Sequence, residues 1–304
     1  MPAGRLSPML LKRLAYHDIF HPRTHMMSLH LSRRSFCVAA GVTGTVSVSQ
    51  WTGVALASKA NTLNLGIQMY SLRGYKVDEA LQHAKDLGFK YIEFYGGMFP
   101  TDSDASAIAA MRKKVSDLGL TMTAHGVNHF SKNGEANRKL FEFAKAAGIP
   151  TITADPDPDS FSSLEELVKE FDIRVAIHNH GPNHRYNKAI DVLHAVEKHD
   201  QRIGACADLG HFIRSGERAP EVIRLLQGRL YGIHLKDFKE MQDKTQGVIL
   251  GRGHLDVLGV FAALKQVNFP INGALSLEYE ENPNNPLDDI RQCVQVANDA
   301  LAKT

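Results

Sequence analysis

The residues able to do chemistry in this 304-residue chain gather in four short stretches. They are His178-Asn179-His180, Asp208-Leu209-Gly210-His211, His234-Leu235-Lys236-Asp237 and Glu278-Tyr279-Glu280. Each closes or follows a short apolar run, so imidazoles and carboxylates stand where strands should end. His125, His178, His180, His184, His211, His234 and His254 all fall at or just after such runs. Groups of these types converging from separate strands describe a divalent metal site. Cys206 is the one sulfur nearby. Cys206 and Cys293 sit in apolar-patterned segments, match no zinc-knuckle or disulfide spacing, and read as inert core residues.

Something must carry these groups to one place. Apolar strand patterns recur at 63–69, 91–94, 120–124, 151–154, 174–178, 203–207, 230–235 and 274–279. Helical periodicity fills the gaps. Val77, Ala80, Leu81, Ala84 and Leu87 make one stripe ended by Gly88, and Ile108, Met111, Val115 and Leu118 another ended by Gly119. Val257, Val260, Phe261, Leu264 and Val267 form a third, and Ile290, Val294, Ala297 and Leu301 a fourth. Repeated βα units predict a single-domain (β/α)8 barrel over residues 58–304, close to the ~250 residues typical of that fold. The rival, a doubly wound sheet, lacks the Gly-rich phosphate loop that would open one of its helices. In a barrel the chemistry belongs at the C-terminal mouth.

Ala176-Ile177-His178-Asn179-His180, Asp208-x-x-His211, His234-Leu-Lys-Asp237 and Leu277-Glu278-Tyr279-Glu280 resemble the strand-end motifs of the xylose-isomerase-like TIM barrels. That family comprises sugar phosphate isomerases and epimerases and includes inosose dehydratases. The resemblance runs over about residues 63–300, and Gly251-Arg252-Gly253-His254-Leu255-Asp256 is similar to its Gly-x-Gly-x-x-Asp segment. It implies one divalent metal ion, held by His178, Asp208, His234 and Glu278. His178 stands where the family usually has a glutamate. Two imidazoles with two carboxylates suit Mn or Zn, and also Co or Fe, better than Mg.

The implied chemistry polarises a sugar carbonyl and its neighbouring hydroxyl and stabilises an enediolate. Glu278 is the expected base, Lys236 or His180 the expected proton donor, and His211 an orienting group. Tyr70, Glu93, His125 and Arg252 are expected substrate walls. A small carbohydrate is the expected substrate. Isomerisation or epimerisation is the leading reaction. Elimination by a lyase or dehydratase on a keto-sugar or cyclitol is the alternative, because one of the two carboxylates that share proton transfer in related epimerases is missing. A metal phosphodiesterase of the apurinic endonuclease type would need further histidines near strands two and three, where only His125 and His129 stand. A non-catalytic sugar-binding barrel is the remaining reading.

Composition narrows the partners. The chain is 43% hydrophobic and 22% charged, which provides a core and excludes disorder, while no run reaches the ~18 strongly apolar residues of a membrane span. Beyond residue 57 acidic groups slightly outnumber basic ones, so nucleic acid is not the expected partner. A homo-oligomer stays open.

Residues 1–57 differ: six basic groups and one acid, Asp18. Arg33-Arg34 precedes a weakly apolar run to Leu56, and Ala55-Leu56-Ala57 supplies a cleavage pattern. This resembles a twin-arginine export signal, starting at Met26 or Met27. The expected protein is periplasmic, without stable membrane insertion after cleavage. Mass spectrometry of a periplasmic fraction should find the mature N-terminus near Ser58; a cytosolic protein retaining Met1 or Met27 would refute the expectation.

Overall fold

The computed structural model describes residues 63–304, so the expected export signal at 1–57 lies outside the described residues. Eight parallel strands close a barrel. They are β1 (Leu65–Gln68), β2 (Tyr91–Phe94), β3 (Thr121–Phe130), β4 (Thr151–Pro156), β5 (Arg174–His178), β6 (Ile203–Asp208), β7 (Leu230–Leu235) and β10 (Ala274–Leu277). A short antiparallel pair, β8 (Asp237–Phe238) and β9 (Gly247–Val248), branches off after β7. The strands follow one another around the ring in chain order, and β10 returns to pair with β1. Each predicted strand is a barrel strand. The runs were visible because such strands are covered on both faces, as in the fully buried β6, and read as near-continuous apolar stretches.

Helices α1 (Val77–Asp86), α2 (Ala105–Asp117), α3 (Gly134–Ala147), α4 (Phe161–Phe171), α5 (Ala189–Val196), α6 (Leu209–Arg214), α7 (Ala219–Leu225), α8 (Val257–Gln266) and α9 (Leu287–Lys303) surround the ring. The predicted stripes are their inner faces: Ala80, Leu81 and Ala84 of α1 are buried, as are Val257, Val260, Phe261 and Leu264 of α8. Gly88 ends the first αβ connection at φ +89°, a conformation that costs a side chain dearly. Among the described residues no helix is long and apolar enough to cross a membrane.

Strand β3 departs from expectation. The sequence predicts its end at residue 124, yet it continues to Phe130 through a register shift between His125 and Asn128. At this irregularity Gly126 presses against β4, where a Cβ would lie 2.3 Å from the Thr153 carbonyl oxygen. The last strand is shorter than expected and leaves Glu278 just past its end, with its N–H donating to Leu235 O at 3.0 Å.

Beyond β7, buried Asp237 anchors the returning loop. Its Oδ2 accepts from the backbone N–H of Gly251 and of Gly253, both at 2.9 Å, and Oδ1 from that of Leu255 at 2.8 Å. Removing this acceptor would strand three backbone donors. Asp237→Ala should lower the unfolding free energy by roughly 3 kcal/mol in urea titration, whereas a loss below about 0.5 kcal/mol would show that water replaces the carboxylate.

Candidate metal centre and active-site cavity

Four strands deliver the centre. β5 ends on His178, β6 on Asp208, His234 lies one residue before the end of β7, and Glu278 follows β10. Asp208 and His234 are register partners across β6 and β7, and His234 faces Ser276 across β7 and β10. His178 Nε2 stands 3.2 Å from His234 Nδ1 and 3.5 Å from Asp208 Oδ2. His234 Nδ1 stands 3.8 Å from Asp208 Oδ2 and 3.1 Å from Glu278 Oε2. A tetrahedron with metal–ligand bonds of ~2.1 Å has edges of about 3.4 Å, and these separations bracket that value.

Asp208 and His234 are each aimed by a bond made elsewhere. Asp208 Oδ1 caps α6 by accepting from His211 N at 2.8 Å, which leaves Oδ2 facing inward. Asn179 clamps the backbone beneath it: its Nδ2 donates to Asp208 O at 3.0 Å, and its Oδ1 accepts from Asp208 N at 2.8 Å. His234 Nε2 pairs with Glu93 Oε2 at 3.1 Å. With the proton on that nitrogen, the Nδ1 lone pair turns into the centre, the carboxylate–histidine arrangement common behind metal ligands.

The donor set fits a divalent ion. Asp208 Oδ2 and Glu278 Oε2 are buried without a hydrogen-bond partner. Lys236 Nζ comes within 2.9 Å of Asp208 Oδ2 and 2.7 Å of Glu278 Oε2, but off the donor axis, while donating properly to Glu280 Oε1 at 2.8 Å. Burial alone would raise both carboxyl pKa values. The contacts with His211 and the Lys236 ammonium hold Asp208 well below the usual range, and those with Lys236 and His234 hold Glu278 below it. Burial opposes charge on Lys236 too, but Asp208, Glu278 and Glu280 keep its pKa well above normal.

The centre opens on a cavity of about 320 Å³ lined by His178, His180, His211, Lys236, Glu278 and Glu280, with Tyr70, Tyr95 and Gln68 among its walls. Burial, reinforced by the neighbouring His178, His184 and His211 rings, pushes His180 down to about 3. Burial, partly offset by Asp208 and reinforced by Lys236, pushes His211 down to about 4. Both are neutral imidazoles at pH 7. Arg214 Nη1 pairs with His211 Nδ1 at 3.2 Å, so His211 presents Nε2–H. Tyr70 is a wall as expected, packed edge-to-face on Tyr95 with centroids 5.2 Å apart.

Three expected substrate walls lie elsewhere. Glu93 is fully buried, accepting from Thr153 Oγ1 at 2.6 Å and Ser276 Oγ at 2.7 Å besides its contact with His234, so it supports the centre from behind. His125 is buried against Phe99 and Phe143, with Nε2 on the Phe99 carbonyl at 2.9 Å. Its ring lies between β3 and α3, away from the mouth. Arg252 is exposed and donates to Gln292 of α9 at 2.6 Å. Asn179, Tyr95, Gln68 and Glu280 were not assigned site roles from sequence, although each stands at a strand end, the same signal that marked the ligands.

Fold and centre together define the class: the chain belongs to the xylose isomerase-like TIM barrel family, whose profile matches residues 81–298. An inosose dehydratase of Clostridium botulinum is 26% identical over 145 residues, 42% of this chain and 48% of that enzyme. The chain thus spans about half the length of the curated relatives it matches. A crystal structure of a Parabacteroides distasonis protein is 30% identical, with a TM-score of 0.60 over 77% of this chain and 97% of that one. The IolI protein, solved with a bound zinc atom, shares the fold at 16% identity and a TM-score of 0.66, covering 79% and 99% of the two chains.

Support from behind should be measurable. Glu93→Gln removes the charge that orients His234 and is expected to weaken Zn or Mn binding about 10–100-fold by calorimetry. Affinity in the wild type should also fall on acidification, since protons compete for the same lone pairs. Unchanged affinity in Glu93→Gln would reduce Glu93 to a core residue.

Proposed function

We propose that this chain is a divalent-metal-dependent isomerase or epimerase of a small carbohydrate, working through an enediolate. The observation that carries the reading is Glu278, a carboxylate that belongs to the four-donor centre and also lines the cavity. His178, Asp208, His234 and Glu278 would hold the ion, with Mn or Zn preferred by the two imidazoles and Co or Fe possible. Once bound, the ion would polarise a substrate carbonyl and its neighbouring hydroxyl.

The chain's own groups supply the rest. Glu278 is held ionised and takes the proton alpha to that carbonyl. Lys236 stays charged between three carboxylates and is placed to return a proton or to stabilise developing negative charge. His211 offers Nε2–H to a substrate oxygen, and His180 stands neutral at the cavity wall. The Tyr70–Tyr95 pair gives the sugar a face to lie on. Arg33-Arg34 and the Ala55-Leu56-Ala57 pattern, read as a twin-arginine signal, support a periplasmic site of action for such an enzyme. His125, held by the Phe99 carbonyl, adds no ligand near β2 and β3, where a phosphodiesterase of the apurinic endonuclease type would need one.

A second reading is elimination by a dehydratase on a keto-sugar or cyclitol. It is favoured by His178: an imidazole turned to the metal cannot serve as the second carboxylate base, which leaves Glu278 working on one face with the Lys236 acid beside it. The inosose dehydratase relatives point the same way over the half of their length that matches.

Turnover in heavy water separates the outcomes. One-base chemistry places deuterium on one stereochemical face or yields an unsaturated keto product. Glu278→Gln should abolish exchange at the alpha carbon, while Lys236→Met should retain exchange but block the later step. Two-face epimerisation that survives loss of both Lys236 and His180 would overturn the one-base assignment. Absence of metal-dependent exchange with any keto-sugar or cyclitol would sink the enzyme reading.

A further inference from the structure

Beside the centre already described, Asp155, His180 and His184 form a separate convergence. Each offers one ligand atom, and the three atoms lie within 4.8 Å of one another. Local sequence explains the meeting. Asp155 stands in the last turn of strand β4, next to Pro156. After β5 the stretch Gly181-Pro182-Asn183-His184 closes a tight turn, with His184 N donating to Gly181 O at 3.3 Å and Asn183 at φ +68°. Proline second and a left-handed asparagine third are the residues a type II turn selects. The reversal brings the His184 ring back to 4.5 Å from that of His180.

These donors do not satisfy one another. Asp155 Oδ1 is shielded from solvent and has no hydrogen-bond partner. His184 Nε2 approaches Asp155 Oδ2 to 3.3 Å without the alignment of a hydrogen bond. Neighbouring basic groups are committed elsewhere: Arg185 pairs with Asp157 Oδ1 at 2.9 Å, and His129 with Asp157 Oδ2 at 3.2 Å and the Asp155 carbonyl at 3.0 Å. His180 meets its neighbours ring to ring, His178 at 4.6 Å and His184 at 4.5 Å. A carboxylate left without a full partner beside two imidazoles wants a cation.

We propose that Asp155, His180 and His184 form a second divalent-cation site, at the cavity rim. Two imidazoles and one carboxylate select zinc, cobalt or nickel over magnesium or calcium. Three protein ligands leave positions open to water, as in exchangeable rather than structural sites. The His184 and Asp155 side chains are 32% and 25% exposed, which gives the ion a path from solvent. Tyr186 N reaches His184 Nδ1 at 3.4 Å, a long contact that favours the proton on Nε2, so binding through Nε2 must shift that proton to Nδ1 and give up the contact, which makes this site the weaker of the two. Since His180 also lines the main cavity, an ion here would stand within reach of a bound substrate's outer oxygens. The assignment is independent of the isomerase reading.

The test uses the full chain, stripped of metal and titrated with Co(II) and with Zn(II), followed by calorimetry and by the visible bands of cobalt. The expected result is two ions per chain in two separable phases. Asp155→Asn, which keeps the side-chain shape, and His184→Ala should each remove the weaker phase and leave the tighter one. Asp208→Ala with His234→Ala should do the reverse. Circular dichroism before titration verifies that each variant is folded. A single ion per wild-type chain at saturation would overturn the proposal, and so would a weaker phase that persists in Asp155→Asn and His184→Ala alike.

Discussion

Three carboxylates, Glu93, Asp208 and Glu278, are buried together in the mouth of one barrel, and the surrounding structure answers to that fact. Removing a carboxylate from water costs several kcal/mol unless charge and hydrogen bonds offset it. Here the offsets are specific. Glu93 receives two hydroxyls and an imidazole, Asp208 caps a helix and lies beside an ammonium, and Glu278 shares that ammonium. Of these three, Asp208 and Glu278 each keep one oxygen without a hydrogen-bond partner, Oδ2 and Oε2, and both border the place where a divalent ion would fit. Much of the polar framework around the cavity is the means of keeping negative charge in an apolar interior until a cation arrives.

How much of this was legible in the chain differs by residue, for physical reasons. The barrel was readable because strands buried on both faces leave apolar runs that helices interrupt at regular spacing. The convergence of His178, Asp208, His234 and Glu278 was readable because a strand-end position points into the mouth whatever the details of the loop. Glu93 and His125 defeated the same rule. Glu93 is the third of four residues in β2, and register, not chain position, turns it inward behind His234. His125 stops being a strand end once Gly126 lets β3 continue, a close approach set by the neighbouring strand. Arg252 failed for another reason: a long side chain on a loop takes its partner from whatever helix passes, here α9.

Asn179 shows the limit of reading residues by their reactivity. Its amide carries no charge and binds no metal, yet it holds both backbone groups of Asp208 and so fixes where β6 ends relative to β5. The two neighbouring ligands therefore share one mechanical support. Similar economy appears at Asp237, whose two oxygens organise a whole returning loop, and in Asp208, where one oxygen builds a helix and the other faces the centre.

The partners of Glu93 are distant in the chain: Thr153, His234 and Ser276 follow it by 60, 141 and 183 residues. No fragment emerging early in synthesis can satisfy this carboxylate, because its last partner arrives with the eighth barrel strand. Until then the half-built barrel must keep that side open to water, protonate the carboxyl or bear an uncompensated charge, each of which disfavours partly closed forms. The same group that supports His234 from behind thus ties completion of the mouth to the arrival of the last barrel strand.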